Sequence, residues 1–66
     1  MKVVINDEIT EIAGAINLQE LLKSFALPSA KIAVELNKKV VRKKDWENVQ
    51  IKDADKIEII HFVGGG

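Results

Sequence analysis

Cysteine is absent from all 66 residues, so neither a disulfide framework nor a thiolate metal site can supplement the core of so short a chain. Net charge is absent as well. Ten Lys and Arg balance ten Asp and Glu, so no overall field draws the protein to nucleic acid or to an anionic membrane. Long apolar runs are missing: stretches such as Val3-Val4-Ile5 fall far short of the roughly 20 residues that span a bilayer. The start, Met1-Lys2-Val3, offers no signal-peptide h-region or cleavage site. Together these absences lead us to expect a soluble cytoplasmic protein with no membrane or nucleic-acid partner, no cofactor and no metal.

What is present is a hydrophobic content of 47%, enough for one globular core and, at this length, for no more than one. Lys2 to Ile5 is rich in β-branched residues and reads as a strand. Asn6-Asp7 then turns the chain into a second strand, Glu8 to Ile12, giving an N-terminal hairpin. Gly14 and Ala15 break that pattern. A helix follows, with Asn17 as N-cap, Glu20 placed to close a capping box, and Ile16 and Leu21 at the hydrophobic-staple positions. Leu18, Leu21, Leu22 and Phe25 share one helical face and predict a buried stripe. Pro28 disfavours helical geometry at Leu27, so the helix is expected to end near Ala26.

Lys31 to Leu36 alternates, with Ile32, Val34 and Leu36 on one side, and predicts a third strand. Asn37-Lys38 turns into a short fourth one at Lys39 to Val41, and the charged stretch Arg42 to Asn48 crosses irregularly around Trp46. After the turn signal Asp53-Ala54-Asp55, the segment Lys56 to Val63 is nearly continuous in apolar residues, as befits a central strand. The most hydrophobic segments are thus the first and the last. We expect them to pair in parallel under the helix, which is an α+β, β-grasp (ubiquitin-like) architecture: a mixed sheet of about four to five strands with one main helix on one face.

Residues 1–63 would then form the domain and residues 64–66 a flexible tail. Gly64, Gly65 and Gly66 bury nothing and carry maximal backbone entropy, so their use lies outside the fold. A tail without side chains threads a narrow channel in a partner and presents its α-carboxylate with no Cβ in the way. That carboxylate is a poor electrophile until activated. Reaction with ATP gives an acyl-adenylate, which a sulfur or nitrogen nucleophile converts to a thiocarboxylate or an amide. A plain linker would also read as three glycines, but here they follow a strong last strand in a chain with no rival site.

The segments Leu18-Gln19-Glu20-Leu21-Leu22, Val34-Glu35-Leu36-Asn37, Trp46, Asp55-Lys56-Ile57-Glu58-Ile59 and His61-Phe62-Val63-Gly64-Gly65-Gly66 resemble, over the whole chain, the ThiS family of sulfur carriers in bacterial thiazole (thiamine) biosynthesis. The resemblance implies a carrier and not an enzyme. It implies adenylation of Gly66 by a ThiF-type E1-like enzyme, conversion to a thiocarboxylate with sulfur from a persulfide donor, and delivery to a ThiG-type thiazole synthase. Gly65 and Gly66 match the family's diagnostic pair. The sequence departs from the family at Ala54, where a glycine is usual, and at Arg42, where a proline is common; both concern turns.

If Ile57 and Ile59 face the core, Ile60 and Phe62 face away from it, just ahead of the tail. They are candidates for partner docking, with Val4 adjoining on a neighbouring strand. His61 has no sequence neighbour that would make it a metal ligand or general base. Asp53 and Asp55 read as turn formers, and Trp46 as a core plug. Lys38, Lys39, Arg42, Lys43 and Lys44 form the one basic cluster, which discourages pairing at a sheet edge. Two other readings remain open at this level: a carrier like the small subunit of molybdopterin synthase, and a β-grasp interaction or RNA-binding module with an inert tail.

Overall fold

The computed structural model describes residues 1–25 and 29–62. Among them, five strands form one mixed sheet: β1 (Lys2–Ile5), β2 (Glu8–Glu11), β3 (Ile32–Leu36), β4 (Lys39–Val41) and β5 (Lys56–His61). Their order is β2-β1-β5-β3-β4. The central pair β1 and β5 runs parallel, and every other pairing is antiparallel. A helix, α1 (Leu18–Ser24), and two 3-10 segments, Ser29–Lys31 and Lys43–Asn48, complete the described elements.

Both hairpins close on two residues that each have positive φ. Asn6 and Asp7 sit at 49° and 68°, Asn37 and Lys38 at 51° and 71°. This is the type I′ arrangement, whose twist matches that of the flanking strands and whose first position favours asparagine. The tight loops fix the registers Ile5↔Glu8 and Leu36↔Lys39, and with them which side chains face the core.

Helix α1 has only seven residues, too few to be stable alone. Asn17 accepts a hydrogen bond from the Glu20 N–H at 2.8 Å, and the Glu20 carboxylate accepts from the Asn17 N–H at 3.0 Å, so the capping box is formed. Leu18, Leu21 and Leu22 are buried against Val3, Ile5, Val34 and Ile57 of the sheet; burying each leucine contributes about 1.5–3 kcal/mol. The helix start is also tied to the segment between the second 3-10 turn and β5, since Leu18 N–H donates to Val49 and Ile51 N–H donates to Ile16.

The stripe expected to include Phe25 stops short of it. Phe25 is the C-cap, its N–H reaches back to the carbonyl of Leu22, and its side chain is 40% exposed. Closing on the residue three back rather than four tightens the last turn and swings position 25 off the leucine face. The expected helix end near Ala26 lies outside the described residues. Lys31 belongs to a 3-10 turn instead of the third strand. The stretch expected to be irregular after Arg42 is a 3-10 helix that drives Trp46 into the core, where its Nε1–H donates to the Val41 carbonyl at 3.0 Å. Strand β5 ends at His61; Val63, expected to be its last residue, lies outside the described residues.

Candidate functional site

Gly64, Gly65 and Gly66 lie outside the described residues, but the strand that leads to them does not. β5 is the central strand of the sheet, flanked by β1 and β3, so both its edges are occupied over its first half. Ile57 is completely buried. Past the end of β5, the Phe62 N–H still donates to the Lys31 carbonyl at 2.8 Å, which carries the β3 pairing to the last described residue.

The pleat decides what faces away from α1. Ile57 pairs with Ile5 and Leu36 on the core side, so Lys56, Glu58 and Ile60 project from the opposite face. Ile60 is 44% exposed and Phe62 55%. Directly across from Ile60 stands Ala33, whose small side chain leaves the isoleucine standing proud. The structure therefore brings Ile60, Phe62 and Ala33 together at the end of β5.

Val4 is on the same face but elsewhere. It is half-buried and lies level with Lys56, four strand residues from Ile60, a separation of about 13 Å along the sheet. Its apolar neighbour is Ile9 on the edge strand β2, which is 77% exposed. Lys56, Glu58 and Glu35 separate the two apolar areas. Sequence reading did not single out Ile9 or the exposed Val40 of β4. The signal for Ile9 was available: a two-residue turn at Asn6-Asp7 forces Val4 and Ile9 to pair, so both share the outer face.

The remaining candidates resolve into structural roles. Asp53 accepts from the Lys2 N–H, and Asp55 accepts from the Lys52 N–H and the Asn37 side chain, so both carboxylates hold turns. No group of three or more potential metal ligands occurs among the described residues. His61 is exposed and lines, with Phe25, Glu8 and Thr10, a shallow groove of about 420 Å³ on the helix side. The five basic residues are all exposed and lie on or beside β4, an edge strand. No helix among the described residues is long and apolar enough to cross a membrane.

A mixed sheet with a parallel centre, crossed by one helix and followed closely in sequence by a run of glycines, defines the class: a ubiquitin-like β-grasp protein. Comparison with known proteins narrows this. The model of the ThiS family matches residues 3–66. The sulfur carrier protein ThiS of Bacillus subtilis is 45% identical over 49 residues, covering 74% of each chain. The crystal structure of a thiamine biosynthesis protein (ThiS) from Geobacter metallireducens superimposes with a TM-score of 0.86 at 29% identity, covering 100% of both chains. A thiazole synthase from Paramagnetospirillum magneticum is 39% identical over 66 residues; the alignment takes in 100% of this chain but only 20% of that protein. The chain belongs to the ThiS family. It is a sulfur carrier and not itself a catalyst.

Proposed function

We propose that Gly66 is the point at which this carrier is loaded and unloaded. A ThiF-type adenylating enzyme joins the Gly66 carboxylate to the α-phosphate of ATP, and pyrophosphate leaves. A persulfide donor then attacks the acyl carbon through its terminal sulfur, forming a C–S bond and displacing AMP, and a thiol cleaves the S–S bond brought in by the persulfide, leaving the thiocarboxylate and a disulfide between thiol and donor. That sulfur is passed to a ThiG-type thiazole synthase. The observation that carries the reading is the position of the glycines: in sequence only two residues separate them from the end of the central strand at His61, and they lie within the stretch that the family model matches.

Delivery to a thiazole synthase is supported by the Paramagnetospirillum magneticum protein of that name, since it contains the equivalent of this whole chain as 20% of its length. A carrier segment and the name of its consumer thus occur on one polypeptide. Docking is assigned to Ile60 and Phe62, the exposed large apolar side chains nearest the tail among the described residues, with Val4 as a more distant contributor through its pairing with Ile9. Residues 1–63 act as the body and 64–66 as the tail, in the cytoplasm.

The test is direct. Incubation with ATP, a ThiF-type enzyme and a persulfide donor exchanges one oxygen for sulfur in the intact mass, and deletion of Gly66 abolishes the exchange. An unchanged mass, or an exchange that survives the deletion, overturns the proposal.

A further inference from the structure

The parallel pairing of β1 with β5 is short. It consists of Val4↔Lys56 and Ile5↔Ile57, with Val4 N–H donating to Asp55 and Asn6 N–H to Ile57, each at 2.9 Å. At Asn6 the main chain turns away into the first hairpin, so no further peptide of β1 is left to meet Ile59. The Asn6 side chain takes its place. The Ile59 N–H donates to Asn6 Oδ1 at 2.8 Å, and Asn6 Nδ2 donates to the Ile59 carbonyl at a longer 3.4 Å. A carboxamide has the donor and acceptor of a peptide group, and here it supplies both to one residue of the neighbouring strand.

The second hairpin does something similar at the other end of β5. The Lys56 N–H donates to Asn37 Oδ1 at 2.9 Å, and the Asn37 N–H donates to the Lys56 carbonyl at 2.7 Å. The two turn asparagines therefore grip the same strand from opposite sides, Asn37 where it begins and Asn6 ahead of its last residues. The positive φ of each, 49° and 51°, is what turns the backbone away while leaving the side chain beside β5, and asparagine tolerates that conformation better than most residues.

We propose that Asn6 is a positioning residue for the carrier tail: its carboxamide extends the β1 ladder by one peptide equivalent and fixes the end of β5 from which residues 63–66 continue. The proposal rests on Gly66 being the loading point of the carrier. A strand end held on both sides is ordered before a partner arrives, so a partner that docks on it has less ordering to do. Loss of the clamp should raise the KM for tail activation and leave kcat unchanged, because the ordering is lost from binding and not from the chemical step.

Glycine at these positions keeps the positive φ and removes only the side chain, so Asn6→Gly and Asn37→Gly form a matched pair. Both are compared with the native protein at a temperature where all are fully folded. The KM for carrier is measured in pyrophosphate release by a ThiF-type enzyme, and amide hydrogen exchange is followed at Phe62, whose N–H bonds to Lys31 and not to Asn6. We expect Asn6→Gly to raise KM and speed Phe62 exchange by about five- to tenfold, the effect of losing one to two hydrogen bonds. Asn37→Gly should leave both near native values. Asn6→Asp, which keeps the acceptor for the Ile59 N–H and loses the donor, should fall between. Native values in Asn6→Gly, or equal changes in both glycine variants, overturn the proposal. If the native protein is not activated at all, the reading of Gly66 fails, and the exchange data alone decide the clamp.

Discussion

The backbone N–H of Ala54 donates to the Lys2 carbonyl at 2.7 Å, and Ala54 makes this bond with φ at 71°. The turn it belongs to is closed by the Asp55 N–H donating to Lys52 at 3.1 Å. Positive φ at the third residue is the type II pattern, for which glycine is the usual occupant. An alanine held there costs about 1–2 kcal/mol, against the roughly 0.5–1 kcal/mol of extra chain entropy that glycine loses on folding. Ala54→Gly should therefore raise stability by about 0.5–1 kcal/mol, read as a higher urea midpoint at unchanged slope. A lower midpoint would show that the alanine is not strained.

Lys38 presents the same problem in the second hairpin, with φ at 71° after Asn37. The Asn-Gly pair is the preferred type I′ sequence. Lys38→Gly should stabilise by a similar ~0.5–1 kcal/mol, and because the Asn37–Asp55 hydrogen bond joins the two turns, the double variant should exceed either single one without having to equal their sum. A double-variant midpoint no higher than either single one would contradict independent strain at the two sites.

Trp46 is the sole tryptophan, 3% exposed, with its Nε1–H on the Val41 carbonyl. Trp46→Ala should cost about 3–5 kcal/mol, comparable to the whole stability expected of so small a domain, and should leave the chain largely unfolded by circular dichroism. Trp46→Phe keeps the ring in the core and orphans the carbonyl, for a loss of about 1–3 kcal/mol. A fully native Trp46→Ala would mean that the 3-10 segment is not part of the core.

Asn17 holds the helix start through the capping box. Asn17→Ala should destabilise by about 1 kcal/mol while Asn17→Asp stays within a few tenths, since aspartate caps equally well. Chemical denaturation of both variants checks this; equal losses would locate the contribution of Asn17 in its packing.

Ile60 and Phe62 are exposed on the face away from α1, so Ile60→Asp and Phe62→Asp should leave the melting temperature within a few degrees, as surface changes do. Binding to a ThiF-type enzyme, followed by calorimetry, should weaken by roughly tenfold or more for each, in line with the cost of removing an apolar anchor. Ile9→Lys, on the far edge strand beside the more distant contributor Val4, should weaken affinity much less than either. A reversed order of effects would move the docking surface to the β1–β2 edge.

The legible parts of the fold are those written in local chemistry. The turn asparagines, the capping box at Asn17 and Glu20, the alternation in β3 and the apolar final strand each reflect a preference expressed over a few residues. Periodicity places Phe25 in the buried stripe wrongly, because it does not say where the last turn of a helix tightens. Val4 groups with Ile60 and Phe62 on sequence grounds because facing is local, whereas level along the sheet depends on register. Only the pairing of Val4 with Lys56 reveals the separation.

By itself the sequence determined the strand and helix order, the hairpin geometry and the glycine run, since backbone sterics and side-chain capping act between near neighbours. What the tertiary structure decided was that Asn6, 53 residues away from Ile59 in sequence, would complete the ladder of the strand ahead of those glycines. A contact between a turn side chain and a distant backbone depends on where the sheet brings the two together, and no short-range rule encodes that.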